Sequence, residues 1–264
     1  MNVWSSFLIA FSMYSRLPVP RTDWTKEHMR YVMCFFPLVG TVLGALFLVL
    51  WKLCSLLGLG NTLTAVLLTL LPVAVTGGIH MDGLMDTMDA LSSWQPMEKK
   101  LEILKDSRAG AFAVLSCGCY LLLSFGLYAE ILEKNGGMLQ NLTDSRKLFV
   151  LALGFTVSRA LSGLSVLTFP CAKNSGLAAS FSDAAVKKTG IWAMAGYLLC
   201  CAAGMLWLDA RCAACMWAAA AICFFYYKRV SRKEFGGITG DLAGFFLQIC
   251  ELAMAAGWLV GSRL

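Results

Sequence analysis

The chain has 264 residues, of which 58% are hydrophobic and only 14% charged. A soluble domain carries nearer a quarter charged residues, so this composition excludes an ordinary soluble protein and points to the lipid bilayer. The formal net charge of +6 would suit a nucleic-acid binder, but the basic residues follow membrane topology instead, so no nucleic acid is implied.

Residues 3–14 are apolar but too short to span a bilayer, and no charged signal-peptide segment precedes them. They predict an interfacial helix with Trp4 and Tyr14 at headgroup level. Ser15-Arg16-Leu17-Pro18-Val19-Pro20-Arg21 then opens a polar stretch that runs to Arg30. Apolar runs predict spans at 31–51, 61–79, 109–129, 147–168, 190–208, 212–227 and 240–260, the sixth being the shortest. Asp144 or Ser145 reads as the N-cap of the fourth span. The expected fold is all-α: one integral-membrane domain over 1–264, a polytopic bundle of about seven transmembrane helices plus the interfacial one.

Seven alternating spans put residues 15–30, 80–108, 169–189 and 228–239 on one side of the membrane. That side holds most of the 22 lysines and arginines, which marks it as cytoplasmic. The 11 cysteines lie mostly inside apolar runs and act as small hydrophobes; Cys212 and Cys215 form an isolated CxxC without a second pair or a nearby His.

The most unusual stretch follows the second span. Gly77-Gly78-Ile79-His80-Met81-Asp82-Gly83-Leu84-Met85-Asp86-Thr87-Met88-Asp89 places three acids within eight residues of a chain that avoids charge. On a helix, Asp82, Asp86 and Asp89 fall within roughly 60° of arc. Like charges on one face repel unless a cation neutralises them, and Mg²⁺ takes carboxylates together with phosphate oxygens. Asp106 and Arg108 lie just before the third span, and Asp241 begins the last one. All share the expected cytoplasmic face. Gly236-Gly237-Ile238-x-x-Asp241 echoes Gly77-Gly78-Ile79-x-x-Asp82, and paired glycines suit sharp turns.

Arg108 is the better candidate for a bidentate phosphate clamp, and Lys105 the weaker. His80 reads either as a base or partner of the acids, or as a structural histidine. Arg159 and Glu251 lie inside spans at a matching depth of roughly 14–15 Å, which predicts a buried pair or two groups lining a watery cavity. Asp241, Gly244, Gln248 and Glu251 form one stripe on the last helix, polar and small enough to line a substrate groove.

The stretch Gly77–Leu91 resembles the signature of the cobalamin synthase family, adenosylcobinamide-GDP ribazoletransferase. Lys105-Asp106-Ser107-Arg108-Ala109-Gly110-Ala111-Phe112 is similar to its second motif and Gly237-Ile238-Thr239-Gly240-Asp241-Leu242-Ala243-Gly244 to its third. Tyr14–Pro20 also fits, and only Met81 and Met85 depart from the expected pattern. The resemblance implies a Mg²⁺-dependent transferase of a cell membrane, bacterial or archaeal, multi-pass and with its active site facing the cytoplasm. It would join adenosylcobinamide-GDP to α-ribazole or its 5′-phosphate and release GMP. Asp82, Asp86, Asp89 and Asp241 would be the metal ligands, with Asp106 or Asp241 completing the shell or acting as base. Arg108, Lys105, Arg159, Gln248, Glu251 and His80 are the candidate substrate contacts. A homo-oligomer is compatible with the sequence. Two alternatives are a CDP-alcohol phosphotransferase, whose Ala-Arg after Asp-Gly is missing here, and a transporter with Arg159 and Glu251 on its pathway.

Overall fold

In the computed structural model, residues 3–134, 142–172 and 177–264 are described. Among them the elements are helices: α1 (Val3–Tyr14), α2 (Lys26–Met29), α3 (Val32–Leu56), α4 (Asn61–Thr76), α5 (Ile79–Ser92), α6 (Met97–Ile103), α7 (Ala111–Lys134), α8 (Leu142–Thr168), α9 (Leu177–Ala184), α10 (Lys187–Leu208), α11 (Ala210–Phe235) and α12 (Gly240–Gly261). Six are long and apolar enough to cross a membrane, or seven when α4 is counted with its broken continuation. The polytopic helical bundle expected from hydropathy is what forms.

The long helices alternate in direction, and side-chain links mark the two ends of the bundle. At one end the Trp258 indole donates to the Lys147 carbonyl at 2.7 Å, and Arg263 pairs with Glu130 at 2.7 Å. At the other end the connections after α8 and α11 meet in a single parallel bridge between Cys171 and Ile238. There Lys100 of α6, almost fully buried, pairs with Glu234 of α11 at 2.5 Å. A lysine counted from sequence as a topological charge thus fastens α6 beneath the bundle.

The helix bounds differ from the hydropathy runs in instructive ways. The sixth span is not short: α11 covers 26 residues and continues through Lys228, Arg229, Arg232 and Lys233. Lysine and arginine end an apolar run but favour the helix, so hydropathy stops before the backbone does. The expected 228–239 connection shrinks to the few residues after Phe235. The expected 209–211 connection is Asp209 alone, whose carboxylate caps α11 by accepting from the Cys212 N–H at 2.9 Å. Residues 80–108 are not loop but carry α5 and α6. The side chains of Asp144 and Ser145 lie outside the described residues.

α8 and α12 are the inner helices, and the core residues Phe155, Phe246, Met254 and Trp258 lie on them. Arg159 and Glu251, expected to meet, form an ion pair between these two helices, with side chains only 1% and 6% exposed. The Ser158 hydroxyl also donates to Glu251 at 2.9 Å, and Arg159 donates to the Phe155 carbonyl at 3.3 Å. The sequence alternative, two separate groups in a watery cavity, is not what forms.

Removing one member of such a pair strands a buried charge. Arg159→Met alone should lower stability by about 3–5 kcal/mol, whereas Arg159→Met with Glu251→Leu should recover most of the loss. Thermal unfolding of the purified protein in detergent checks this; a single variant as stable as the parent contradicts it.

Candidate active site

The site begins at the break between α4 and α5. Gly77 and Gly78 both adopt left-handed backbone, with φ of 68° and 82°, which costs glycine little and other residues much. The chain therefore turns by 94°, so α5 does not continue the crossing but lies across the end of the bundle. Its polar face stays accessible and its apolar face, with Met81 and Leu84, packs on Phe245 of α12.

The contact with α12 is at backbone distance. A Cβ on Gly83 would lie 2.6 Å from the Asp241 carbonyl oxygen, so only glycine permits this approach. Gly244 faces the His80 backbone from the other side, where a Cβ would stand at 3.3 Å. The crossing sets Asp82 and Asp86 of α5 beside Asp241 in the first turn of α12. The carboxylates act on one another. Asp86 is pushed up to about 6, first by partial burial and then by the negative charges of Asp82, Asp241 and Asp89. The Asp241 carboxylate is steadied at 3.4 Å by the Thr239 hydroxyl, which also caps α12.

Asp89 does other work. Its two carboxylate oxygens accept from the Gly110 N–H at 2.6 Å and the Ala113 N–H at 2.8 Å. It caps α7 and ties α5 to it, which is the use of an acid at a helix N-terminus. Asp106 and Arg108 are engaged with each other: the guanidinium donates to the carboxylate at 2.8 and 3.0 Å. This exposed pair holds the Asp106 carboxyl down to about 2, and Asp106 is not among the charges acting on Asp86. Lys105 is exposed beside them.

Between α5 and α12 on one side and α1, α3, α8 and α9 on the other lies a cavity of about 320 Å³. Asp82 and Asp241 are among its lining residues, together with Tyr14, Phe36, His80 and Phe181. His80 is 4% exposed and stands edge-on to Tyr14 and Phe36 at 6.1 Å from each ring. Burial, helped by the positive charge of Arg159, lowers it to about 3. Its Nε2 has no hydrogen-bond partner. Gln248 and Glu251 continue the stripe below Asp241 but are buried, and Glu251 is occupied by Arg159. Asp241 and Gly244, the upper half of the stripe, line the cavity; below them the buried Gln248 Oε1 has no hydrogen-bond partner.

Arg16 is a residue that the motif reading did not single out. Its N–H donates to the Val75 carbonyl at 2.7 Å, and its side chain covers Gly77, where a Cβ would meet the guanidine Nε at 2.4 Å. An exposed cation therefore lies over the elbow that leads into the acids. The signal was its place in the Tyr14–Pro20 segment. Tyr14 belongs to the same segment, whereas Phe36 and Phe181 carried no signal, because distant apolar segments had to fold before they shared a wall with it.

Hard carboxylate oxygens are the donor set that Mg²⁺ selects. Among the described residues no three His, Cys, Asp or Glu side chains gather closely enough to hold an ion by themselves. An ion held here would need water or substrate phosphate to complete its shell, as Mg²⁺ commonly does.

Fold and site thus define a polytopic helical membrane protein with a carboxylate cluster at one end of its bundle, beside a cavity. A family model described as cobalamin-5-phosphate synthase matches residues 6–259. A protein of Lachnoclostridium phytofermentans called adenosylcobinamide-GDP ribazoletransferase is 45% identical, over 94% of this chain and 90% of that one. Proteins of the same name from Clostridium perfringens and Geobacillus kaustophilus are 32% and 31% identical, covering 92% and 100% of this chain and 92% and 98% of theirs. No solved structure matches the chain. The chain belongs to the cobalamin-5-phosphate synthase family, and it is a transferase.

The different surroundings of the acids predict different mutational outcomes. Asp89→Asn keeps one acceptor of the cap and should cost about 1 kcal/mol of stability while leaving measurable turnover. Asp86→Asn should leave stability unchanged or raised, and lower turnover by about 100-fold or more. Paired thermal and turnover measurements check this; equal kinetic losses without a stability difference would contradict it.

Proposed function

We propose that the chain joins adenosylcobinamide-GDP to α-ribazole, or to its 5′-phosphate, and releases GMP. The observation that carries this reading is the convergence of Asp82, Asp86 and Asp241, from α5 and α12, at the mouth of a cavity in a member of this family. In the reaction a ribose hydroxyl of the acceptor attacks the phosphorus attached to the cobinamide arm. A new P–O bond forms, and the bond to the bridging diphosphate oxygen breaks and leaves with GMP. The hydroxyl proton passes to a carboxylate at the cavity mouth, for which Asp241 and Asp82 are the candidates.

Asp82, Asp86 and Asp241 would hold Mg²⁺, which supplies charge neutralisation at the diphosphate. Asp89 supports this arrangement by fixing α5 on α7. Arg16, exposed over the elbow, is a further candidate to meet a phosphate. Arg108 would serve as a clamp only by exchanging Asp106 for the substrate, a trade between two bidentate partners. The charges also support a cytoplasmic site: Arg16, Arg21, Lys105, Arg108, Arg232 and Lys233 lie on the end of the bundle that carries α5.

The reading is tested by GMP release from the purified protein supplied with both substrates and Mg²⁺. Asp82→Asn should lower the rate by about 100-fold or more with unchanged helical content; a parental rate refutes the assignment. The raised Asp86 carboxyl gives a pH dependence. Below about 6 it is protonated and neutral, so Mg²⁺ affinity should fall as pH drops through that value, by up to about tenfold per unit for one displaced proton. Mg²⁺ titration at pH 5 and pH 7 reads this, and equal affinities contradict it. A reporter fused after residue 140 should be found outside the cell; a cytoplasmic reading breaks the orientation.

A further inference from the structure

The 320 Å³ cavity is at the small end of the ~300–1,000 Å³ range of ligand sites. It cannot enclose a corrinoid, so it does not receive the bulk of the donor. Its walls are the rings of Tyr14, Phe36 and Phe181 with the aliphatic side chains of Val166 and Leu247. These favour a flat apolar group. Beside them stand the Ser162 hydroxyl and His80, whose buried Nε2 lacks a partner. Buried polar atoms are normally paired, and an orphan beside a cavity marks where a ligand atom is missing. Asp82 and Asp241 line the same cavity. Carboxylates there accept hydrogen bonds from hydroxyls and repel an anion that brings no cation.

We propose that this cavity is the subsite for the base of the nucleoside acceptor, a neutral fused heteroaromatic ring. The ring lies against Tyr14, Phe36 and Phe181, one of its polar atoms pairs with His80 Nε2, and its ribose hydroxyls meet Asp82 and Asp241. α-Ribazole, a ribonucleoside of a methylated benzimidazole, has this chemistry. The guanine of the donor does not. Its edge carries several donors and acceptors, and with Asp82 and Asp241 taken by the sugar and the diphosphate only His80 and the Tyr14 and Ser162 hydroxyls are left to meet them. The assignment also explains the geometry of transfer. A base held deep among α1, α3 and α8 points its sugar outward, so the attacking hydroxyl emerges at the carboxylates where the diphosphate docks. The inference rests on the transfer reaction proposed above, but it makes a separate demand: the two substrates must respond differently to changes in this cavity.

The test uses full-length protein in nanodiscs. Benzimidazole, lacking the ribose, should inhibit GMP release competitively against α-ribazole and not against adenosylcobinamide-GDP. Competition with the donor, or with neither substrate, overturns the proposal without touching the transfer reaction. Val166→Phe, which fills the cavity away from the acids, should raise KM for α-ribazole by about tenfold or more while KM for the donor stays within about twofold. Equal changes for both substrates, or none, also overturn it. The competition experiment needs no variant and stands if Val166→Phe fails to fold. If the parent protein releases no GMP, the transfer reading fails by itself. Equilibrium titration with benzimidazole then decides the cavity: binding that Val166→Phe abolishes supports an aromatic-ring site, and absence of binding to the parent overturns it.

Discussion

Everything at the working end of this protein depends on the near contact of two backbones. α5 can rest on the first turn of α12 only because Gly83 leaves no side chain between itself and the Asp241 carbonyl. A larger residue would lift α5 away and carry Asp82 and Asp86 with it. The 94° elbow at Gly77 and Gly78 supplies the direction, and the crossing supplies the distance. The Asp89 cap on α7 fixes the third point. A short helix held at an elbow, a crossing and a cap is rigid, and rigidity is what keeps like charges together against their repulsion. The Asp86 carboxyl is raised first by its partial burial and then by these like charges.

Below the crossing, the inner helices α8 and α12 are joined by Arg159, Ser158 and Glu251. A buried ion pair is weak evidence for stability, because desolvation opposes the Coulomb gain. Its consequence is specificity of register: Arg159 reaches one acid on α12, and a slip by a turn would strand both charges. The register matters because α8 and α12 both wall the cavity above the pair. Since Arg159 and Glu251 are paired with one another, they do not present two separate charges along a transport pathway, which weighs for a catalytic role.

Much of this was legible in the sequence, for physical reasons. Span positions follow from hydropathy, because lipid and packed helices both demand apolar surface. The α5 acids stand out because charge is rare in such a chain, and the Arg159–Glu251 pair was visible as opposite charges at one depth. What the sequence did not show has equally definite causes. α11 outran its apolar segment because Lys228 to Lys233 lower hydropathy without disfavouring helix. Asp89 looked like a third ligand because helical phase locates a side chain on its own helix but cannot show α7 arriving with unsatisfied N–H groups. Arg108 looked free because its neighbour Asp106 was read as a site residue and not as its partner. Only one wall of the cavity was legible, the Asp241 and Gly244 part of the α12 stripe; Phe36 and Phe181 are ordinary apolar residues until α3 and α9 bring them together.

The central claim is that carboxylates from α5 and α12 share one divalent cation with a substrate diphosphate, neither set sufficing alone. Mn²⁺ in place of Mg²⁺ makes this measurable by electron paramagnetic resonance. The purified protein should bind Mn²⁺ weakly by itself and tightly, at one site, when adenosylcobinamide-GDP is present, and Asp241→Asn should abolish the tight site. Tight binding without the donor, or a tight site that survives Asp241→Asn, would contradict the account.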